Sequence, residues 1–147
     1  MRRTILFVLV AFMAAGFTLQ ATTAGETPAP KNAYVYIGWP NDGETVRACR
    51  FRVWFGLRHM GLAPAGIVKK NTGHHHLIID APLPPFDREI PNDRNHLHFG
   101  AGQSEAIVEL PSGKHTFQLL FADQDHIPHN PPIYSRKRTV TVVCHRR

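Results

Sequence analysis

The ten histidines of this chain fall into groups whose spacing can build a metal site. Three are consecutive, two alternate and two flank a proline. Neutral imidazole is the commonest metal-binding side chain, and alternate residues of a strand share one face. Each group lies at the edge of a β-type apolar run, beside glycine, asparagine, aspartate or proline. The predicted metal-binding set is His74, His76, His96, His98, His126 and His129.

In a strand, the side chains of the triplet at 74–76 point alternately to its two faces. His75 shares its parity with Leu77 and Ile79, so we expect it to be partly buried and structural, while His74 and His76 chelate. The alternative is that all three rings hydrogen-bond backbone and loop groups.

The segment 123–129 adds oxygen donors to the histidines. Asp123 or Asp125 can orient a metal-bound ring by accepting its second N–H. The alternative is a rigid turn in which both aspartates accept backbone N–H bonds.

The types of donor atom limit which metal ions the site could bind. Imidazole and carboxylate without thiolate favour Zn(II), Cu(II), Ni(II) or Fe(II), and we expect copper or zinc. Met60 is the only methionine after residue 24, so a thioether-rich Cu(I) site is not supported. A blue-copper centre also needs a cysteine beside the histidines, and the sequence places none there.

Apolar residues alternate in six or seven short segments separated by turns, and no segment has a helical period. Phe51, Val53 and Phe55 show the pattern clearly. These features predict an all-β, immunoglobulin-like Greek-key β-sandwich of about seven strands. His96–Phe99 is predicted as a short edge strand, and the proline-broken segment 123–135 as a loop.

The same topology predicts which segments meet. Its third strand, 74–80, lies beside its sixth, 115–122, which brings the histidine triplet next to the loop after the sixth strand. Cys49 opens the second strand and Cys144 closes the last, so both lie at the opposite pole from the histidines. We expect them to form a disulfide.

The N-terminus is typical of an export signal. Met1-Arg2-Arg3 precedes the apolar run Ile5–Leu19, and small residues follow up to Ala24. The run is shorter than the ~20 residues of a spanning helix, so we expect cleavage after Ala21 or Ala24 rather than a retained membrane anchor. The predicted organisation is a signal peptide over 1–24, a tether over 25–32 and one β-sandwich domain over 33–147. The mature protein is then periplasmic or secreted, and not an integral membrane protein.

The formal net charge is +6, but most basic residues are scattered. The exceptions are Arg136-Lys137-Arg138 and the terminal Arg146-Arg147. This is thin support for nucleic-acid binding, and an exported protein rarely meets nucleic acid. We expect no nucleic-acid partner.

Several longer motifs resemble those of a known family. They are Pro-Ala-Gly at 64–66, Asn-Thr-Gly-His-His-His-Leu-Ile-Ile-Asp at 71–80, Asn-His-Leu-His-Phe-Gly at 95–100, Leu-Pro-Ser-Gly-Lys-His-Thr at 110–116 and Asp-His-Ile-Pro-His-Asn-Pro-Pro at 125–132. The chain resembles the bacterial family called domain of unknown function 4399, over nearly all of its length after the signal. The resemblance implies a small exported β domain and no established activity.

Three functions remain open at this stage. The first is an exported carrier, buffer or chaperone for copper or zinc, with a metal-accepting envelope protein as a possible partner. The second is a non-metal binding or structural module of the cell envelope that recognises a glycan, a peptide or a protein. The third, a metalloenzyme, has less support because the sequence contains neither Gly-x-Ser-x-Gly nor His-Glu-x-x-His. We therefore predict no catalytic residues.

Overall fold

The computed structural model describes residues 25–144, which form two β-sheets. The predicted signal peptide, 1–24, lies outside the described residues. The strands are β1 (Tyr34–Trp39), β2 (Thr45–Val46), β3 (Arg50–Arg58), β4 (Gly61–Leu62), β5 (Thr72–Ile79), β6 (His96–His98), β7 (Glu105–Glu109), β8 (Gly113–Ala122), β9 (Pro128–Tyr134) and β10 (Arg138–Val142). Residues 25–144 contain no helix that is long and apolar enough to cross a membrane.

The smaller sheet has the order β1-β3-β7, and the larger has the order β2-β10-β8-β5-β4. In the larger sheet β6 also pairs with β5, and β9 with β8. The prediction of an all-β sandwich is confirmed. The strands outnumber the expected seven because β2 and β4, of two residues each, are too short for a periodic signal, and because β9 lies in a segment that was predicted as a loop.

The core between the sheets follows the alternation in the sequence. Phe51, Val53 and Phe55 of β3 are buried, and Phe117 and Phe121 of β8 belong to the same apolar cluster. Phe51 and Phe117 meet edge to face with ring centres 6.3 Å apart. Burying such side chains contributes roughly 1.5–3 kcal/mol each, so this cluster supplies much of the stability of the fold.

The long connection between β5 and β6 packs on the outer face of the larger sheet. Ile90 of this connection forms a second apolar cluster with Ile78 of β5 and with Leu120 and Ala122 of β8. The end of this connection is held against β5, because the Ile79 N–H donates to the Asn95 carbonyl. Every residue of β5 is therefore buried, which an amphipathic pattern alone does not predict.

The segment after β8 differs from the prediction of a loop. Residues 128–134 form β9, which pairs with β8 at Tyr134, Ile133 and Pro128. Pro131 and Pro132 lack backbone N–H groups and lie between these pairing points, as prolines do in edge strands. The prolines made the segment resemble a loop, whereas they only limit its hydrogen bonding.

Residues 25–32, expected to form a tether, make hydrogen bonds with β9. Ala29 N–H donates to the Asn130 carbonyl, and Asn130 N–H donates to the carbonyl of Thr27. The Thr27 hydroxyl also donates to the carboxylate of Asp123. These contacts place the segment against the turn that follows β8.

Cys49 and Cys144 are joined by a disulfide, with Cα atoms 4.9 Å apart. Cys49 precedes β3 of the smaller sheet and Cys144 follows β10 of the larger one, so the bond links the two sheets. Cys144 N–H donates to the Ser112 hydroxyl, which places the bond beside the start of β8. The histidine triplet pairs with the end of β8, since His74 lies opposite Ala122.

Replacing both cysteines by serine should lower the free energy of unfolding by about 4 kcal/mol, because the disulfide closes a loop of nearly a hundred residues in the unfolded chain. Urea denaturation of the oxidised protein and of Cys49→Ser/Cys144→Ser, followed by circular dichroism, measures the difference. A loss below about 1 kcal/mol would show that the unfolded chain gains little freedom.

Candidate metal site

The site begins with the pairing of β5 and β6. His74 and His76 lie on the outer face of the larger sheet, the face that also carries Ile78 and Leu120. β6 runs antiparallel to β5 and places His98 directly opposite His76. Their rings stack with centres 5.0 Å apart. Two strands therefore fix three imidazoles at one place on the sheet.

A fourth imidazole closes the group. His126 lies in the turn between β8 and β9, with its ring centre 4.6 Å from that of His98 and 5.1 Å from that of His74. The remaining pairs among these four rings are 4.9–6.0 Å apart. We refer to His74, His76, His98 and His126 as the histidine cluster.

Three members of the cluster have the geometry of a chelating set. One nitrogen from each of His74, His76 and His98 lies within 4.8 Å of the other two. Nitrogens bound tetrahedrally to one metal at ~2.0 Å lie about 3.3 Å apart. Small ring rotations therefore suffice for these three residues to hold a metal ion.

Five ring nitrogens of His74, His76 and His98 are buried without a hydrogen-bond partner in the described residues. Within residues 25–144, neither ring nitrogen of His74 or His76 has a hydrogen bond, and the same holds for Nε2 of His98. Buried polar atoms in proteins are nearly always hydrogen-bonded, and an exception needs a physical explanation. A metal ion would supply a partner for the one lone-pair nitrogen of each neutral ring, while the N–H of the other nitrogen would still need an acceptor.

Burial also keeps these rings neutral. Desolvation, with a smaller effect from neighbouring imidazoles, lowers the pKa of His74 to about 4 and that of His76 to about 2. The pKa of His98 is lowered for the same reasons, burial first and His126 second. Since only neutral imidazole binds a metal, the donors are ready for one at neutral pH.

His126 differs from the other three because it lies on a turn and at the surface. Its backbone φ is 65°, in the left-handed region that histidine tolerates better than most residues. Its carbonyl accepts the Ile90 N–H, and its Nδ1 lies 4.0 Å from a carboxylate oxygen of Glu89. The side chain is partly exposed, so the cluster reaches solvent on this side.

Gly100 makes room for the His98 ring. A Cβ atom at position 100 would overlap Cε1 and Nε2 of His98. The loop after β4 covers the same ring, since Ala65 N–H donates to the Gly100 carbonyl. Gly100 was not among the residues predicted from the sequence, although a glycine two positions after a candidate ligand indicates close packing.

The structure does not bring His96 and His129 into the cluster. Nδ1 of His96 lies 2.9 Å from the Asp93 carboxylate. His129 stacks on Phe121 with ring centres 5.7 Å apart, and its Nε2–H donates to the carbonyl of Thr72. Parity alone suggested a ligand role for His96, and a strong local carboxylate partner holds the ring instead.

Asp123 and Asp125 build the turn that carries His126. The Asp123 carboxylate accepts N–H bonds from Asp125 and Ile127 together with the Thr27 hydroxyl. Asp125 accepts a bond from the Gln124 amide. Neither carboxylate accepts a hydrogen bond from a histidine ring in the described residues, and Asp123 alone accepts the backbone N–H bonds of the rigid-turn alternative.

His75 points into the core between the sheets, and it is fully buried rather than partly buried. Its ring lies 5.2 Å from Phe55 and 5.1 Å from Phe121, and neither nitrogen has a hydrogen bond within the described residues. Burial lowers its pKa to about 4. His75 therefore packs as an aromatic side chain and is separated from the cluster by the sheet.

Comparison with protein families identifies the chain. The model of the family called domain of unknown function 4399 matches residues 53–143, which include all four histidines of the cluster. The chain belongs to this family. No protein with a curated description and no solved structure matches the chain. The family resemblance noted in the sequence is thus confirmed.

The metal-free protein should lose stability as the pH falls from about 6.5 to about 4. The pKa values of His74, His75 and His76 are lowered in the folded state, so in this range the unfolded chain binds more protons. The free energy of unfolding is therefore highest above pH 6.5 and falls below it, because the rings of the unfolded chain take up protons while the buried rings stay neutral. Urea denaturation in the presence of a chelator at pH 7, 6 and 5 measures this dependence.

His75→Leu provides the control for that measurement. Removing one buried imidazole should flatten the pH dependence by about one proton and raise the stability at pH 7, because two buried unbonded nitrogens disappear. Equal unfolding free energies for the wild-type protein at pH 7 and pH 5 would contradict the burial of neutral rings.

Proposed function

We propose that this protein is an exported, periplasmic or secreted metal-binding protein that carries, buffers or delivers copper or zinc. The observation that carries the proposal is the convergence of His74, His76 and His98, whose buried nitrogens have no hydrogen-bond partner in the described residues. The disulfide is consistent with an exported protein, because such bonds persist in oxidising compartments.

The ring spacing favours a tetrahedral ion. Four imidazoles bound to one metal place each ring centre about 3.2 Å from it, so tetrahedral geometry separates the centres by about 5 Å. The six distances within the histidine cluster range from 4.6 to 6.0 Å. Zn(II) and Cu(I) accept this geometry readily, whereas Cu(II) prefers a tetragonal plane.

The number of donors favours binding over catalysis. Catalytic zinc sites have three protein ligands and keep a fourth position for water or substrate. We propose His126 for that fourth position, because its ring centre lies 4.6 to 6.0 Å from those of the other three, although its nitrogens are not among those that lie within 4.8 Å of one another. Three ligands come from strands and the fourth from a partly exposed turn, so His126 is the ligand through which a metal would enter and leave.

Calorimetric titration of Zn(II) and Cu(II) into the metal-free protein should show one site per chain. His74→Ala/His76→Ala should abolish that site, because two of the three strand-borne donors are lost. The matched control is His59→Asn/His96→Asn, which removes two imidazoles outside the cluster and should bind like the wild type. Co(II) should give the intense visible absorption of a tetrahedral complex. Equal binding by the wild type and the His74/His76 variant would overturn the proposal.

Gly100→Ala should weaken the metal affinity about 10- to 100-fold without removing a ligand, because the added methyl group displaces the His98 ring. Gly38→Ala is the control, since its added Cβ meets nothing closer than the Trp54 Cβ at 3.3 Å. The same titration compares the two variants. An unchanged affinity in Gly100→Ala would show that metal binding does not need the space that Gly100 leaves for the His98 ring.

A further inference from the structure

A second candidate binding site lies at the edge of the smaller sheet. A cleft of about 520 Å³ separates β1 from the segment that joins β9 to β10. Three tyrosines and three consecutive cations contribute to its lining: Tyr34, Tyr36, Tyr134, Arg136, Lys137 and Arg138. We call this the tyrosine cleft. It shares no lining residue with the histidine cluster.

Tyr34 and Tyr36, which line one side of the cleft, form an exposed aromatic surface. A Cβ atom at Gly56 would overlap the Tyr36 ring, so the missing side chain lets this ring lie across β3. The Tyr34 ring is 6.0 Å away and inclined by 38°. Tyr34 is 48% exposed and Tyr36 is 36% exposed, so much of the aromatic surface faces solvent. Such rings offer an apolar face beside a polar hydroxyl.

The rim of the cleft is positively charged. Within residues 25–144, neither Arg136 nor Lys137 has a carboxylate within ion-pair distance. Arg138 donates to the Pro40 carbonyl, which fixes its guanidinium near the cleft. Asp42 also lines the cleft, but its carboxylate accepts the Thr139 N–H. Two cations without a carboxylate partner in residues 25–144 thus line the same cleft as the tyrosines.

Exposed tyrosine rings beside cations favour a ligand that has both an apolar face and negative charge. The apolar face of a pyranose ring packs on an exposed aromatic ring, and cations beside it pair with carboxylates. A neutral glycan would leave the cations without partners, and an acidic peptide has no broad apolar face for the tyrosines. We propose that the tyrosine cleft binds an acidic polysaccharide, a chain of uronate-type sugars.

The test is calorimetric titration with three probes, run in a chelator so that a metal cannot bridge protein and carboxylate. The probes are polygalacturonate oligomers, neutral cello-oligosaccharides of equal length and poly-glutamate of equal charge. Polygalacturonate should bind at least tenfold more tightly than either of the others. Its affinity should fall with added salt, since charge pairing contributes to binding.

Variants locate the binding and separate its two components. Tyr36→Ala should weaken polygalacturonate binding at least tenfold, while Tyr36→Phe, which keeps the ring, should retain most of it. Arg136→Gln/Lys137→Gln should weaken binding and flatten its salt dependence. Lys69→Gln/Lys70→Gln removes the same charge elsewhere and should behave like the wild type. Circular dichroism confirms that each variant is folded.

Poly-glutamate binding as tightly as polygalacturonate would overturn the proposal in favour of a general anion surface. No binding of polygalacturonate, or equal loss in the Lys69/Lys70 control, would overturn it as well. Because neither outcome involves the histidine cluster, the proposal fails or stands independently of metal binding.

Discussion

The antiparallel pairing of β5 with β8 is the interaction on which the rest of the molecule depends. It carries the inner core through Leu77 and Leu119, and the outer apolar cluster through Ile78 and Leu120. The same register aligns His74 with the end of β8, where the turn bearing His126 begins. A slip of one residue would exchange the two faces of β5 and move His75 outward in place of its neighbours. Core packing therefore also determines the positions of the candidate ligands.

The charge state of the site follows from this burial. The imidazoles of β5 lose their hydration because the strand is covered on both faces. Burial disfavours the protonated form, so these rings stay neutral. Glu89 lies near the partly exposed ring of His126, and the buried rings of His74 and His76 have no carboxylate as a hydrogen-bond partner in residues 25–144. Such a donor set offers lone pairs without negative charge, which suits a soft monovalent ion or borderline divalent ions better than hard cations such as Mg²⁺.

Much of the fold and part of the candidate site could be predicted from the sequence. Alternation predicted β3 and β8, because residues that face a core repeat every second position, and the Greek-key topology predicted that β5 lies beside β8. Parity separated His75 from His74 and His76 for the same reason. Parity placed His96 on the face of His98, opposite Ile78, but it could not predict that the His96 ring would bind the Asp93 carboxylate outside the cluster. The role of Gly100 could not be predicted, because it depends on the packing of His98 and the loop above it.

The bond between Cys49 and Cys144 closes a loop that contains every candidate ligand. The bond and the histidine cluster lie at opposite ends of β8, so they do not touch. They are nevertheless coupled through the unfolded chain, because closing the outer loop already restricts the separation of β5, β6 and the turn after β8. A chain that has been oxidised loses less conformational freedom when its histidines assemble. Oxidation of two thiols far from the cluster thus lowers the entropy cost of forming it.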